Sequence, residues 1–292
     1  MLRSTTLNEA CLTLILRDRD LQRVDGAARI AVHGAGGRNT ITDLFQRSPC
    51  KVLVPRIDGH FCREAVFLNT AGGIAGGDRL SFALSASGDA SFTGTTQASE
   101  RIYRAIDAPG RIEMRIEASD GATLQSLPQE TILFDGGRLN RSTQIHVSGS
   151  ARLIAMDWLI LGRAASGETV RHGAFRDDWR VYRDGRLVWA DAFRLSGDIE
   201  ALVHRPSLLA GHTAIATILY AASNAPANLD RVRAILAGLS CKSGATIVNG
   251  LMICRFAAKA AADLRRAVTD FLRAFRDGLE GFAPALPKVW AC

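Results

Sequence analysis

Two features of the 292-residue chain combine residue type and spacing in a way that bears on chemistry: an acid inside an apolar run, and a glycine-rich loop that ends in an acid. Asp157 lies in the middle of LIAMDWLIL (residues 153–161), where a carboxylate must be hydrogen-bonded, protonated or turned toward a polar channel. In NTAGGIAGGDRL (residues 69–80) the pairs Gly72-Gly73 and Gly76-Gly77 are closed by Asp78-Arg79. The order G-G-x-x-G-G is not the G-x-G-x-x-G of a dinucleotide site, and the residues after it alternate like a strand instead of opening a helix. A P-loop needs lysine after its last glycine, and here Asp78 would set a negative charge beside phosphate. The loop therefore reads as a structural corner between two strands, with glycines that let backbone pass closely.

Other familiar chemistry is not written locally. There is no G-x-S-x-G elbow and no Cys-His signature of a nucleophile. Cys11, Cys50, Cys62, Cys241, Cys254 and Cys292 have no C-x-x-C spacing, and the six histidines form no H-x-x-x-H pair, so no permanent metal cage is encoded by neighbouring residues. The formal charge of +7 comes with 36 basic residues, only four of them lysine and none in a concentrated block. That arginine usage suits bidentate ion pairs and acidic protein partners better than nucleic acid. No apolar run approaches the roughly 18 residues of a membrane helix. The run ACLTLIL (residues 10–16) is flanked by Glu9 and RDRD with no cleavage site, and is read as the first strand of an unexported, cytoplasmic protein.

The elements that must position these residues are mostly strands. From residue 80 to about 192, turn signals recur roughly every dozen residues, the spacing of an all-β stack. In residues 111–118, Ile112, Met114, Ile116 and Ala118 share one face and Arg111, Glu113, Arg115 and Glu117 the other. Asp184-Gly185 and Asn249-Gly250 each separate two strand-like runs and predict two-residue hairpins. Residues 153–161 are apolar on both faces, which predicts a strand buried between two layers. Residues 40–47 fit a short helix or an edge strand equally well. Helical spacing predicts two helices near the end, at 228–239 with Asn228 as N-cap and at about 260–278. The expected fold is mainly β, a stacked β-helix-like or two-layer architecture with two C-terminal helices. It forms a single domain, β-rich over 1–222 and mixed helix and hairpin over 223–292, without a sequence repeat of fixed period.

Six segments in order, QRSPCKVLVPR (46–56), NTAGGIAGGDRL, TTQASERIYRA (95–105), LPQETILFDGGRLN (127–140), LGRAASGE (161–168) and a terminal PKVW (287–290), resemble the urease accessory protein UreD family, also called UreH. The resemblance implies a stacked β-helix-like fold and a non-enzymatic role. In that role the chain is a scaffold that binds apo-urease with UreF and the GTPase UreG and conveys nickel to the urease active site, and it can be dimeric within the accessory complex. Nickel is then cargo in transit and nothing is bound permanently. Such a path needs several weak oxygen or nitrogen ligands and no tight site. Within the matching segments the candidates are Asp78, Glu130, Asp135 and Glu168, with Asp157 added from its apolar setting; His60, His172 and His204 follow. Each acid also has a structural reading: Asp78 capping the corner, Glu130 and Asp135 serving the turn at Gly136-Gly137, Glu168 pairing with Arg163. Arg101, Tyr103 and Arg104 are the candidate partner-binding residues, while Trp158 and Trp179 read as core. The alternative from another class is a β-helical carbohydrate-active enzyme using paired carboxylates, which turnover of a polysaccharide would reveal.

Overall fold

The structure, a computed structural model, describes residues 23–56, 63–163, 166–279, 282 and 285–291. The strand expected at 10–16, with Cys11, His60, Cys62 and Cys292, lies outside the described residues. Two sheets face each other. The first has seven strands in the order β14-β13-β11-β8-β5-β1-β2: β1 (Asp25–Ala35), β2 (Arg38–Arg47), β5 (Arg79–Gly88), β8 (Gly110–Ala118), β11 (Arg138–Val147), β13 (His172–Arg183) and β14 (Arg186–Asp198). The second runs β16-β17-β15-β12-β9-β6-β4-β3: β3 (Cys50–Leu53), β4 (Glu64–Asn69), β6 (Ser91–Thr96), β9 (Thr123–Leu127), β12 (Arg152–Leu161), β15 (Ala214–Ala221), β16 (Lys242–Val248) and β17 (Leu251–Ala258). Short β7 (Glu100–Ile102) and β10 (Thr131–Leu133) pair with each other, and β10 continues onto β12.

The centre of the fold is a coil that visits one sheet and then the other. Leu80 lies beside Ile112 in the first sheet, and Phe92 beside Leu124, itself beside Leu153, in the second; all these strands are parallel. One turn of the coil therefore consumes about 30 residues, a structural repeat with no sequence period to announce it. Alternation makes the coil possible: along each strand every second side chain enters the space between the sheets. Ile112 and Ile116 of β8 are buried there with Leu80 and Leu84 of β5, while Arg111 and Arg115 stay outside, as their spacing predicts.

β12 carries the second core. Leu153, Ala155, Leu159 and Leu161 face the first sheet, whereas Ile154, Met156, Trp158 and Ile160 face the C-terminal helices. Those helices are α2 (Leu229–Ala237) and α3 (Ala261–Asp277); a short α1 (Ile199–His204), which helical spacing did not announce, follows β14. Leu264, Val268, Phe271, Leu272 and Phe275 form the buried face of α3. Asn228 does occupy the N-cap of α2, but its side chain makes no cap bond and donates to Asn224 O at 2.9 Å instead. The ambiguous residues 40–47 form β2, an edge strand. Both hairpins form where Asp-Gly and Asn-Gly predict them: Asp184 and Gly185 have φ of 48° and 78°, Asn249 and Gly250 of 47° and 80°. Among the described residues no helix is long and apolar enough to cross a membrane.

Candidate functional site: an acid-lined cavity between the sheets

The glycine corner joins β4 in one sheet to β5 in the other, and it is also a rung of the coil. Ile74 N donates to Arg101 O (2.7 Å), Tyr103 N to Ile74 O (2.9 Å), Phe134 N to Ile102 O (3.1 Å) and Gly162 N to Leu133 O (2.8 Å). Ile74, Ile102, Leu133 and Gly162 thus stack as successive turns, which is why four of the six matching segments meet here. Close approach explains Gly73 and Gly76. A Cβ on Gly73 would lie 2.3 Å from the Tyr103 ring, and one on Gly76 2.6 Å from Ala108 O. Asp78 locks the corner from inside: its Oδ2 accepts from Ala75 N at 2.7 Å and its Oδ1 from Val24 N at 3.1 Å.

Behind this corner the two sheets part around a cavity of about 360 Å³. Its mouth is formed by Asn69, Thr70 and Gly72 of the glycine loop and by residues 97–101 of TTQASERIYRA. Small and polar groups keep it open, among them Gly94, Thr96, Ser126 and Gln129, and a Cβ at Gly94 would already press to 2.5 Å from Leu84 Cδ2.

Among the described residues, two acids line the interior. Glu100, beside the mouth, accepts from Asn69 Nδ2 at 3.0 Å, and burial pushes its carboxyl up to about 7 against that bond and the charge of Arg101. Asp157 faces the cavity from β12, in contact with Arg141 Nη1 (2.6 Å) and accepting from Trp158 N (2.8 Å). Arg141 is shared: its Nε and Nη2 grip both oxygens of Asp177 at 3.0 and 2.9 Å, and its Nη1 also donates to Thr131 Oγ1 at 2.9 Å. Asp177 thus holds the guanidinium fork and Asp157 has a single arm of it. Burial, with the neighbouring Asp177 charge, raises Asp157 above the ordinary carboxylate range in spite of the arginine. Two acids on one guanidinium leave a net charge of −1 when both are ionised, deep between the sheets. Such a charge is satisfied by a proton or by a cation.

The raised Glu100 carboxyl sets a pH dependence of stability. The folded chain holds this proton to higher pH than the unfolded chain does, so stability from Glu100 is intact below the unfolded value and lost as pH rises through about 7. Glu100→Gln is therefore expected to be more stable than the parent at pH 8 and to show a flatter loss between pH 5 and 8, read from denaturant midpoints.

The remaining sequence candidates lie elsewhere. Glu130 is buried and held bidentately by Arg265 of α3, at 2.7 Å to each oxygen, and also accepts from Ser99 Oγ; it does not serve the Gly136-Gly137 turn. Asp135 lies in that turn, but its carboxylate reaches the next rung of the coil, accepting from His172 N and Arg171 N and pairing with Arg104; the His172 and Arg171 amides hold it below the usual carboxylate range. Glu168 pairs with Arg163, which holds it low as well. Asp135 and Glu168 share an open surface cup of about 640 Å³ with Tyr103, Arg104, Phe134 and Arg163. Tyr103 is the wall between cup and mouth: its hydroxyl donates to Gly72 O at 2.9 Å while its ring stands edge-on to Phe134. Arg101 and Arg104 are exposed, as are His172 and His204. Trp158 and Trp179 are buried, as read, and Trp179 also borders the cavity.

Reading the sequence missed Glu100, Arg141 and Asp177. Parity alone would have found the last two: Leu139, Arg141, Thr143 and Ile145 alternate inward along β11, and Phe175, Asp177, Trp179 and Val181 along β13. The terminal PKVW has a visible task. Trp290 stacks on Trp158 at 5.3 Å, its Nε1 donates to Thr95 Oγ1 at 3.1 Å, and Gln129 Nε2 donates to Val289 O at 3.1 Å. Among the described residues no three His, Cys, Asp or Glu converge as a metal-binding group, and the thiols of buried Cys50 and Cys254 are pushed up to about 12.

Fold and site together define a β-helix-like scaffold with a polar, acid-lined interior and a mouth built from a glycine corner. The chain belongs to the UreD urease accessory protein family, which matches residues 24–291. It is 43% identical over 276 residues to the urease accessory protein UreD of Xanthobacter autotrophicus, covering 94% of this chain and 93% of that one. It is 41% identical to its namesake from Methylobacterium sp. (88% and 90% covered) and 39% identical to that of Rhizobium etli (96% and 99% covered).

Proposed function

We propose that this chain is a cytoplasmic urease maturation factor that binds apo-urease together with UreF and UreG, and that nickel crosses it through the cavity between the sheets. The observation that carries the reading is the pair Glu100 and Asp157 in one cavity whose mouth is made by two of the family segments. Glu100 is held by the Asn69 side-chain amide and Asp157 by one arm of Arg141, and among the described residues no three His, Cys, Asp or Glu converge around either. A borderline cation finds weak oxygen ligands there and is free to leave. Asp135 and Glu168, ionised in the open cup beside Tyr103, supply a first landing for the ion once the exposed Arg104 and Arg163 that pair with them swing aside; Asp78 and Glu130, buried and hydrogen-bonded, serve as frame. Exposed Arg101 and Arg104 flank this entrance and suit an acidic partner surface.

The test is nickel content of urease purified from a urease-producing host whose own copy of this gene has been replaced. Glu100→Gln and Asp157→Asn are expected to lower nickel per urease several-fold while the variant chains still co-purify with the accessory complex. Normal nickel content with both substitutions combined would overturn the reading.

A further inference from the structure

The open space ends at Asp157 and Trp179, but the polar layer between the sheets does not. On one sheet Asp157 lies directly opposite Thr217 of β15, Thr217 opposite Arg255 of β17, and Arg255 opposite Gly244 of β16. On the facing sheet Trp179 of β13 lies opposite Asp191 of β14. Side chains join the two rows into a ring. Arg255 Nη1 donates to Thr217 Oγ1 at 3.3 Å and its Nη2 meets Asp191 Oδ2 at 2.6 Å. Trp179 Nε1 donates to Asp177 Oδ2 at 3.1 Å, and Asp177 shares Arg141 with Asp157.

The ring leads outward. Side-chain exposure is 13% for both Asp157 and Asp177, 29% for Asp191 and 49% for Arg255. It reaches solvent where β14 and the β16–β17 hairpin border one another, held together by Asn249 Nδ2 donating to Val188 O at 2.7 Å. β15, β12, β9 and β6 separate this place from the mouth on β4. Three acids and two guanidiniums carry a net charge of −1 when ionised, the same sign as the cavity. Gly244 leaves the outer end without a wall, since a Cβ built there meets nothing within 4 Å.

We propose that the Asp191–Arg255 pair is a second opening of the cavity, closed by Arg255 and used by a divalent cation to pass between Asp157 and solvent. This inference rests on the cavity being a cation path. Arg255 is a half-exposed gate: when its guanidinium swings into water, the Thr217 hydroxyl, one strand over from Asp157, and Asp191 on the facing sheet become oxygen ligands. A purely structural ion pair would make both partners equally necessary. A gate makes only the acid necessary.

The test measures nickel per urease in the same replaced-gene host, with nickel chloride in the medium, for Asp191→Asn, Asp191→Glu, Arg255→Gln and Gly244→Phe. Asp191→Asn and the plug Gly244→Phe are expected to lower nickel several-fold, Asp191→Glu to restore it, and Arg255→Gln to leave it at the parent level or above. Equal losses with Asp191→Asn and Arg255→Gln, accompanied by a lowered melting temperature of the purified complex, would make the pair structural and overturn the gate. If Glu100→Gln and Asp157→Asn lower nickel while Asp191→Asn and Gly244→Phe do not, the second opening falls and the cavity path stands. If none of these substitutions lowers nickel, both fall.

Discussion

Arg141→Met is expected to lower the melting temperature more than any other single change in the cavity wall, by about 10 °C. The guanidinium is 6% exposed, holds Asp157 and Asp177 at once, and lies over the Phe175 ring at 5.3 Å. Removing it leaves two buried carboxylates without a counter-charge, a loss of about 3–5 kcal/mol. In a chain of this size each kcal/mol moves the transition by roughly 2–4 °C. Part of the loss is relieved by proton uptake at Asp157, which burial already favours, so the deficit is expected to shrink below neutral pH. Adding Asp157→Asn and Asp177→Asn to Arg141→Met removes the stranded charges and is expected to recover much of the stability. Thermal melts at pH 6 and pH 8 check both statements. A single variant that melts within about 2 °C of the parent would mean that the triad contributes little to holding the sheets together.

Trp290→Ala is expected to produce the other large effect, a destabilisation of about 3 kcal/mol. Trp290 is 8% exposed although it stands near the end of the chain, with its ring on Trp158 and its Nε1 on Thr95. Its carbonyl also accepts from Arg265 Nη1 at 3.3 Å, and Arg265 in turn grips Glu130 and Gln129. Losing the indole opens a hole between β12 and the C-terminal segment and loosens the clasp behind the cavity's Gln129 wall. The urea midpoint is the measurement: a fall comparable to that of a core leucine truncation is expected, whereas a change of a few tenths of a kcal/mol would mark the terminal segment as decoration.

Much of the scaffold was legible from local chemistry. The alternation in β8, the two hairpins and the apolar face of α3 all follow from side-chain period and turn preference, which neighbouring residues decide among themselves. The double-sided burial of β12 was legible for the same reason. The 30-residue coil was not, because parallel rungs require only that apolar residues alternate at each visit, and many sequences satisfy that without resembling one another. The short α1 had too few residues for a period to emerge.

For the site, the sequence by itself determined that NTAGGIAGGDRL is a corner and not a phosphate cradle, and that Asp157 is an acid in the wrong surroundings for an ordinary surface charge. It also carried the six segments by which family membership shows. Tertiary structure alone decided which acids meet: it put Glu100 and Asp157 in one cavity, tied Glu130 to an arginine 135 residues away, and sent Asp135 and Glu168 to a cup outside. The physical reason is that a carboxylate's role depends on which charges and amides surround it in space. In a coiled stack those neighbours come from the next turn, about 30 residues on, or from the facing sheet.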